Sequence, residues 1–492
     1  MLNRARLILE KIENYPVKLW QLLFWAGFIL SFRFLLESQT DNRGRIIEFS
    51  AIVSWSAFYL LTFFTIILIY HLFCRQDINK IAKVVLFFCF FIWLAPIIDW
   101  LFPFYSNMSY VIVDSWDLVF KSYVSLALGG FYKTGASLGI KVELVFALFG
   151  SFGYLILQRA KWYKAVLGSL VVYFFIITLF LLPTLQKFIY RAFGVDYHYS
   201  TTLMGFSIVV PSLLVILLLF YFGAKEKLLI WLKSINWFRI SIVWALMLIG
   251  LSLYYYQRFD PLDWANNFLL YIFKAIALAV VGFLIWQSIR LFNDLADYQA
   301  DLESNNNNLL KSLSRADLIN IAIIYLFSLI YLALLFSYDF LIIASVYLLI
   351  GYFYSFKPVH FKRHFVLSSL ALGFNYLLAF WLGYVAFFKA GDSLNLIPLK
   401  YNLLVFLIFS LAISFKDIKD SQSDAASGVK TILTEFSPKV AAKIISALIF
   451  ICIALPAVFI NPYLILPGVL AFAALYYITE KFADIKKRQL LF

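Results

Sequence analysis

Acidic residues are scarce in this chain, since 27 Asp and Glu stand against 41 Lys and Arg among 492 residues. Histidine and cysteine are rarer still, with four and three copies. The sequence contains no His/Cys/Glu spacing typical of a metal site and no Ser-His-Asp arrangement. Cys74, Cys89 and Cys452 are widely separated in or beside apolar runs, which excludes a disulfide framework and a thiolate metal site. The alternating segments of a membrane β-barrel are also missing.

Hydrophobic residues are abundant: they make up 63% of the chain, and the mean hydropathy is +0.88. Apolar runs of about 20 residues, each long enough to cross about 30 Å of hydrocarbon as a helix, recur from end to end. Because lipid offers the backbone no hydrogen bonds, these runs are expected to be α-helical. The sequence therefore predicts an all-α, polytopic membrane helical bundle of about 14 transmembrane helices. Their centres lie near residues 27, 61, 92, 148, 173, 213, 248, 279, 327, 347, 377, 408, 449 and 471.

The positive charges that give the chain its net charge of +14 are not spread evenly among the predicted loops. Lys and Arg concentrate in alternate loops, such as 4–11, 75–83, 159–164, 225–239 and 357–363, and the intervening loops hold few. The positive-inside rule then places both termini and every basic loop in the cytoplasm of an integral membrane protein, which we expect in the cell (plasma) membrane. The basicity thus reflects topology and attraction to anionic lipid, and not nucleic-acid binding.

Two regions are predicted, although no Pro/Gly/Ser-rich linker separates them. Residues 1–235 hold six spans and no comparable motif, and their role is unassigned. Residues 236–492 hold eight spans and all of the motifs below. Asp99, and Lys141 with Glu143, lie near predicted span ends of the first region, which favours snorkelling or a local ion pair over a transport site.

Two short runs, "NDLADYQAD" and "DIKDSQSD", repeat one spacing of acidic residues. On a helix, separations of three and four place all three carboxylates of a run on one face. Both runs begin where a span enters the cytoplasm by the charge distribution. The aspartates are Asp294, Asp297 and Asp301 in the first run, and Asp417, Asp420 and Asp424 in the second.

Like charges at this spacing repel one another, so each run should persist only where something neutralises it. Mg²⁺ fits, because it prefers oxygen ligands and is commonly shared between carboxylates and substrate phosphates. Two facing runs would hold such ions around a diphosphate and stabilise it as a leaving group. The surrounding aromatic side chains would house an isoprenoid tail. The alternative is a pair of solvated acidic helix starts; no EF-hand loop is present to indicate calcium.

These motifs resemble those of the UbiA superfamily of intramembrane prenyltransferases, over about residues 240–480. The family's N-D-x-x-D-x-x-x-D motif matches "NDLADYQAD" from Asn293 to Asp301. Its D-x-x-D-x-x-x-D motif with a following G-x-K-T element matches "DIKDSQSDAASGVKT" from Asp417 to Thr431. Between them, "YSFKPVHFK" matches a Y-S-x-x-P-x-x-x-K loop from Tyr354 to Lys362.

The resemblance implies transfer of a prenyl group from a polyprenyl diphosphate to an acceptor, assisted by Mg²⁺. It implies catalytic roles for Asp294, Asp297, Asp417 and Lys430. The metal ligands would be Asn293, Asp294, Asp297, Asp301, Asp417, Asp420 and Asp424. Substrate contacts would come from Asn293, Tyr354 and Lys362. The loop after the first motif departs from the family pattern, and Lys311 and Arg315 are its candidate basic residues. Plain loop charge is the alternative for Lys362 and Lys430.

Two function classes compete on the sequence. The prenyltransferase interpretation rests on the matched motifs; its acceptor could be an aromatic acid, a quinone precursor, a porphyrin or chlorin, a glycerol phosphate or a sugar phosphate. A membrane transporter or lipid flippase with acidic cytoplasmic ion-binding loops is favoured by the span count and by the unassigned first region. Intramembrane charges, which a transport pathway would need, are sparse.

Overall fold

The computed structural model describes residues 2–40, 49–102, 112–128, 137–299, 313–389, 391–412 and 432–461, with residues 463, 466, 469 and 473. All regular secondary structure in these ranges is helical, and none of them contains a β-strand. The predicted all-α fold of a polytopic membrane protein is therefore confirmed.

The helices of the described residues are numbered here in chain order. Up to residue 233 they are α1 (Leu2–Asn14), α2 (Leu19–Thr40), α3 (Phe49–Cys74), α4 (Ile78–Phe88), α5 (Leu94–Leu101), α6 (Trp116–Leu128), α7 (Leu138–Leu157), α8 (Trp162–Phe180), α9 (Leu182–Ala192) and α10 (Thr201–Lys233). After it they are α11 (Trp237–Arg258), α12 (Pro261–Asn266), α13 (Phe268–Ala296), α14 (Arg315–Phe336), α15 (Tyr338–Ser355), α16 (Phe365–Val385), α17 (Leu399–Ala412), α18 (Ile432–Glu435) and α19 (Pro438–Phe459).

Two compact units make up the chain. Unit 1 comprises Met1–Lys233 and Asp260–Ala277, and unit 2 comprises Ser234–Phe259 and Leu278–Phe492. Helix α13 begins in unit 1 and ends in unit 2, where its last turns carry the first acidic motif. The assignment of separate roles to residues 1–235 and 236–492 stays a prediction.

Eleven helices within the described ranges are long and apolar enough to cross a membrane. They cover the predicted centres from residue 27 to residue 377. Two shorter apolar helices, Leu399–Ala412 and Lys443–Phe459, cover the centres near 408 and 449. Near the last centre, 471, only residues 469 and 473 are described.

Small residues set the packing of unit 2. A side chain at Gly250 would collide with the Phe380 carbonyl, and one at Gly383 would collide with the Met247 carbonyl. Helices α11 and α16 therefore touch backbone to backbone, which is how membrane helices gain close packing. The start of α16 and the end of α15 in turn fix the ends of the loop 356–364, which carries the middle motif.

Unit 1 buries one arginine within its spanning helices. Arg33 is 1% exposed, lies 3.8 Å from Glu37 and 3.9 Å from Glu143, and donates to the Ile92 carbonyl. Asp99 accepts a hydrogen bond of 2.8 Å from the Gly139 amide. Glu143 thus belongs to a local ion pair, as its place near a span end indicated.

Candidate active site

The first acidic motif begins in the last turn of α13. Asn293 and Asp294 belong to the helix, and the Asp297 amide donates to the Asn293 carbonyl at 2.9 Å. The helical turn therefore continues to Asp297, and Asn293 and Asp297 share one face at a separation of four. The shared face predicted from the spacing, that of Asp294, Asp297 and Asp301, stays a prediction, because Asp301 lies outside the described residues.

Lys362 joins the middle motif to the first one. Its Nζ lies 2.5 Å from Asp297 Oδ2 and donates to Asn293 Oδ1 at 3.4 Å. The residue sits in the short 3₁₀ turn Phe361–Arg363 of loop 356–364. Asp297 and Lys362 lie just beyond the candidate spans Phe268–Ala296 and Tyr338–Ser355. Their side chains are 27% and 24% exposed, so the pair is accessible to solvent at the span ends. Two motifs that are 65 positions apart therefore meet at one ion pair.

Arg290 supplies a second positive charge, which the motif search missed. Its Nε lies 3.7 Å from Asp294 Oδ2, and its Nη1 donates to the Ser234 carbonyl. The i,i+4 spacing of Arg290 and Asp294 in "RLFND" was the available signal for this pair. The charges that compensate Asp294 and Asp297 in this structure are thus the chain's own, Arg290 and Lys362.

Tyr354 and Arg315 occupy different surroundings. Tyr354 lies in the last turn of α15, where its hydroxyl accepts a hydrogen bond of 3.4 Å from Ser368 of α16. Arg315 is exposed and is the first residue of α14. It lies between Ser314 and Asp317, which form the capping box of this helix. The contacts of Tyr354 and Arg315 with substrate stay predictions.

His360 lies in the same loop as Lys362. It has a left-handed backbone with φ 49°, and its Nδ1 is buried with no hydrogen-bond partner. Burial lowers the pKa of His360, and the positive charges of Arg363 and Lys362 lower it further. The imidazole is therefore neutral at pH 7.

The remaining site residues lie outside the described part of the chain. They are Asp301, Lys311, Asp417, Asp420, Asp424 and Lys430. The facing of the two acidic runs therefore stays a prediction. Within the described ranges, no three His, Cys, Asp or Glu side chains stand together as a metal site.

The described first motif can nevertheless be tested for its fit to a metal ion. Lys362 Nζ is a cation held by Asn293 Oδ1 and Asp297 Oδ2 together, and it stands in for an ion between the same two oxygens. Amide and carboxylate oxygens are the ligands that Mg²⁺ prefers. Asn293 and Asp297 thus fit a magnesium ion as two of its ligands, and Asp294 follows Asn293 on the same helical turn.

The second part of the chain is similar to a known protein family. Residues 261–490 match the family model described as the UbiA prenyltransferase family. No curated protein sequence matched. A solved structure of digeranylgeranylglyceryl phosphate synthase is similar to this chain, with 19% sequence identity and a TM-score of 0.39. The match covers 53% of this chain and 94% of the synthase chain.

Proposed function

We propose, from the premise that residues 261–490 belong to the UbiA prenyltransferase family, that this integral membrane protein transfers a prenyl group from a polyprenyl diphosphate to a small-molecule acceptor, assisted by Mg²⁺. The observation that carries the proposal is the convergence of Asn293 and Asp297 on one cationic atom at the end of an apolar helix. Family membership favours this activity over the transporter alternative. We expect the acceptor to be an aromatic acid, a quinone precursor, a porphyrin or chlorin, a glycerol phosphate or a sugar phosphate.

The reaction breaks the bond between the first prenyl carbon and its diphosphate oxygen, and the electron pair leaves with the diphosphate. That carbon bonds to the acceptor, which gives up a proton. Bound Mg²⁺ supplies positive charge to the diphosphate as it leaves. On the chain's side, Asn293, Asp294 and Asp297 would hold the ion, together with the predicted ligands Asp301, Asp417, Asp420 and Asp424.

The basic side chains of the site bind and orient the diphosphate in this proposal. Lys362 and Lys430 act as point charges on phosphate oxygens. Tyr354, Lys311 and Arg315 are proposed as further substrate contacts. Loop 356–364 begins at the end of α15 and ends at the start of α16, so the position of Lys362 is set by two packed helices.

We place the site on the cytoplasmic side of the cell membrane, with both termini in the cytoplasm. The support is the alternation of basic and basic-poor loops along the sequence. A single cysteine introduced at Arg4 in a variant without native cysteines should react with a membrane-impermeant thiol reagent only after the cells are broken. Labelling of intact cells would contradict this topology.

The activity test measures diphosphate release from polyprenyl diphosphates of several lengths by the purified protein with Mg²⁺. Asp294→Asn and Asp297→Asn should each lower the rate by about 100-fold or more, because each removes a carboxylate that would hold the Mg²⁺ whose positive charge stabilises the leaving diphosphate. Glu226→Gln is the matched control, since Glu226 is an exposed acid of α10 in unit 1. This variant should keep the wild-type rate.

Two results would count against the proposal in different ways. Wild-type protein that releases no diphosphate from any donor would reject the activity. Normal rates in correctly inserted Asp294→Asn and Asp297→Asn protein would reject the assigned site and keep the activity. Mass spectrometry of the lipids gained by a host that expresses the protein identifies the acceptor.

A further inference from the structure

Lys362 occupies the place that the proposed function gives to a metal ion. Its Nζ is 2.5 Å from Asp297 Oδ2 and 3.4 Å from Asn293 Oδ1. Both oxygens belong to predicted metal ligands. An ammonium group and a divalent ion compete for these oxygens, because their positive charges repel each other at such a separation.

The two cations of the first motif differ in how they are anchored. The Arg290 guanidinium contacts Asp294 and also donates to the Ser234 carbonyl, so a backbone group holds it in place. The contacts of the Lys362 ammonium are the two side-chain oxygens that a metal would take. Lysine has a flexible four-carbon stem that lets its ammonium swing between partners. Of the two, Lys362 is the cation suited to leave.

Water already reaches the Lys362–Asp297 pair, since about a quarter of each side chain is exposed. An incoming hydrated ion can therefore approach Asp297 without the helices separating. A released ammonium also remains in contact with water, which keeps the loss of its partner small. The pair is open to exchange.

We propose that Lys362 is an exchangeable cation of this site: its ammonium bridges Asn293 and Asp297, a divalent ion that binds these oxygens displaces it, and the ammonium then binds the diphosphate. The last step rests on the proposed function. A metal ion that binds alone must displace Lys362, which weakens its binding. A diphosphate gives the displaced ammonium a new partner. Metal and diphosphate therefore bind cooperatively, and each must strengthen the other by the same factor.

The experiment titrates the purified full-length protein with Mn²⁺ and follows bound metal by electron paramagnetic resonance, with and without inorganic diphosphate. In the wild type, inorganic diphosphate should tighten Mn²⁺ binding by about tenfold or more, within the usual range of coupling between sites. Lys362→Gln should bind Mn²⁺ alone about tenfold more tightly than the wild type, a difference of about 1.4 kcal/mol. It should also lose most of the tightening by diphosphate.

Arg363→Gln is the matched control, because Arg363 is the next residue, is exposed, and carries the same charge. A general electrostatic effect of one lost charge would change Mn²⁺ binding equally in Arg363→Gln and Lys362→Gln. The exchange predicts that Arg363→Gln stays within about twofold of the wild type, as distance and screening reduce its influence. Equal Mn²⁺ affinities in all three proteins would overturn the proposal.

The outcomes separate this proposal from the proposed function. Tighter Mn²⁺ binding by Lys362→Gln, in a protein that never releases diphosphate from prenyl donors, would support displacement by metal and reject the prenyl transfer. Diphosphate release without any gain in Mn²⁺ affinity would reject the exchange alone. If Lys362→Gln fails to fold, the wild-type titration decides, since an exchange requires that diphosphate tighten Mn²⁺ binding.

Discussion

Replacing Arg33 with methionine should destabilise unit 1 severely. Arg33 is 1% exposed, and two carboxylates, Glu37 and Glu143, lie 3.8 and 3.9 Å from its guanidinium. Its side chain also donates to the Ile92 carbonyl and lies over the Tyr59 ring. Methionine keeps the apolar length of the side chain and removes every one of these polar contacts.

The magnitude follows from the geometry. A unit-charge pair at about 4 Å is worth about 4 kcal/mol at an effective dielectric constant of about 20. The attraction in two such pairs is largely offset by the desolvation cost of the ions, which is several kcal/mol for each ion taken out of water. Removing one partner of a buried pair nevertheless costs about 3–5 kcal/mol, because the remaining charge is left in a poor solvent. Glu37 and Glu143 lie in the candidate spans Leu19–Ser38 and Leu138–Leu157, so the 22% and 20% of their side chains that is exposed is not hydrated as it would be in a loop.

The assay is unfolding in mixed micelles by titration with sodium dodecyl sulfate, followed by tryptophan fluorescence. Arg33→Met should lose about 3–5 kcal/mol of unfolding free energy. The triple variant with Glu37→Gln and Glu143→Gln should recover most of it, because no charge is then left buried. Lys121→Met is the control and should lose at most about 1 kcal/mol, because its pair with Asp117 is mostly exposed.

Two results would refute the reasoning about Arg33. Arg33→Met with the stability of Lys121→Met would show that the guanidinium contributes no more than a surface charge. A triple variant as unstable as Arg33→Met would show that the two carboxylates do not cause the loss of stability. The cause would then be the lost contacts with the Ile92 carbonyl and the Tyr59 ring.

The same titration checks three other expectations. Gly383→Ala should lose about 1–3 kcal/mol of unfolding free energy, because its new methyl group would collide with a carbonyl of α11. Gly27→Ala is the control and should keep the wild-type stability, because its methyl group would meet open space. Trp381→Phe should lose about 1–2 kcal/mol, because it leaves the Asn402 amide oxygen without its donor at 2.9 Å. The pKa of His360 is lowered in the fold, so stability should be lost as pH falls below about 6.5, where the unfolded imidazole takes up a proton. Above that pH the residue should contribute no pH dependence, and His360→Asn should reduce the loss between pH 7.5 and 5.5.

Hydropathy located the spanning helices, but it could not show their irregularities. The predicted centre near residue 92 falls in a span where the 3₁₀ turn Cys89–Trp93 separates α4 from α5. Helix α10 contains a non-helical residue, Ala224, with φ −156° and ψ 50°. Hydropathy averages the transfer energies of side chains, so it does not register which backbone hydrogen bonds are made.

The local part of the site was predictable, and its long-range contacts were not. The three-residue separation of Asp294 and Asp297 predicted a helical turn there, because helical geometry relates such positions directly, and the Asp297 amide closes that turn on the Asn293 carbonyl. The meeting of Asp297 with Lys362 depends on the path of loop 356–364 between two helices. No periodicity encodes that path. Arg33 and Glu143 likewise come from different helices. The sequence named Lys141 beside Glu143 and left snorkelling or a local ion pair open, and it did not indicate Arg33.

Burial decides what each of these ion pairs can do. Arg33 is enclosed between carboxylates and a carbonyl, so breaking its contacts exposes charges to hydrocarbon and the arrangement stays fixed. Lys362 and Asp297 face water with a quarter of their surfaces, so either can change partner at small cost. A fixed charge suits a structural role within spanning helices. An exchangeable one suits a site that must release a cation to bind a metal and a diphosphate, and the opposite responses of Arg33→Met stability and Lys362→Gln metal affinity test that distinction directly.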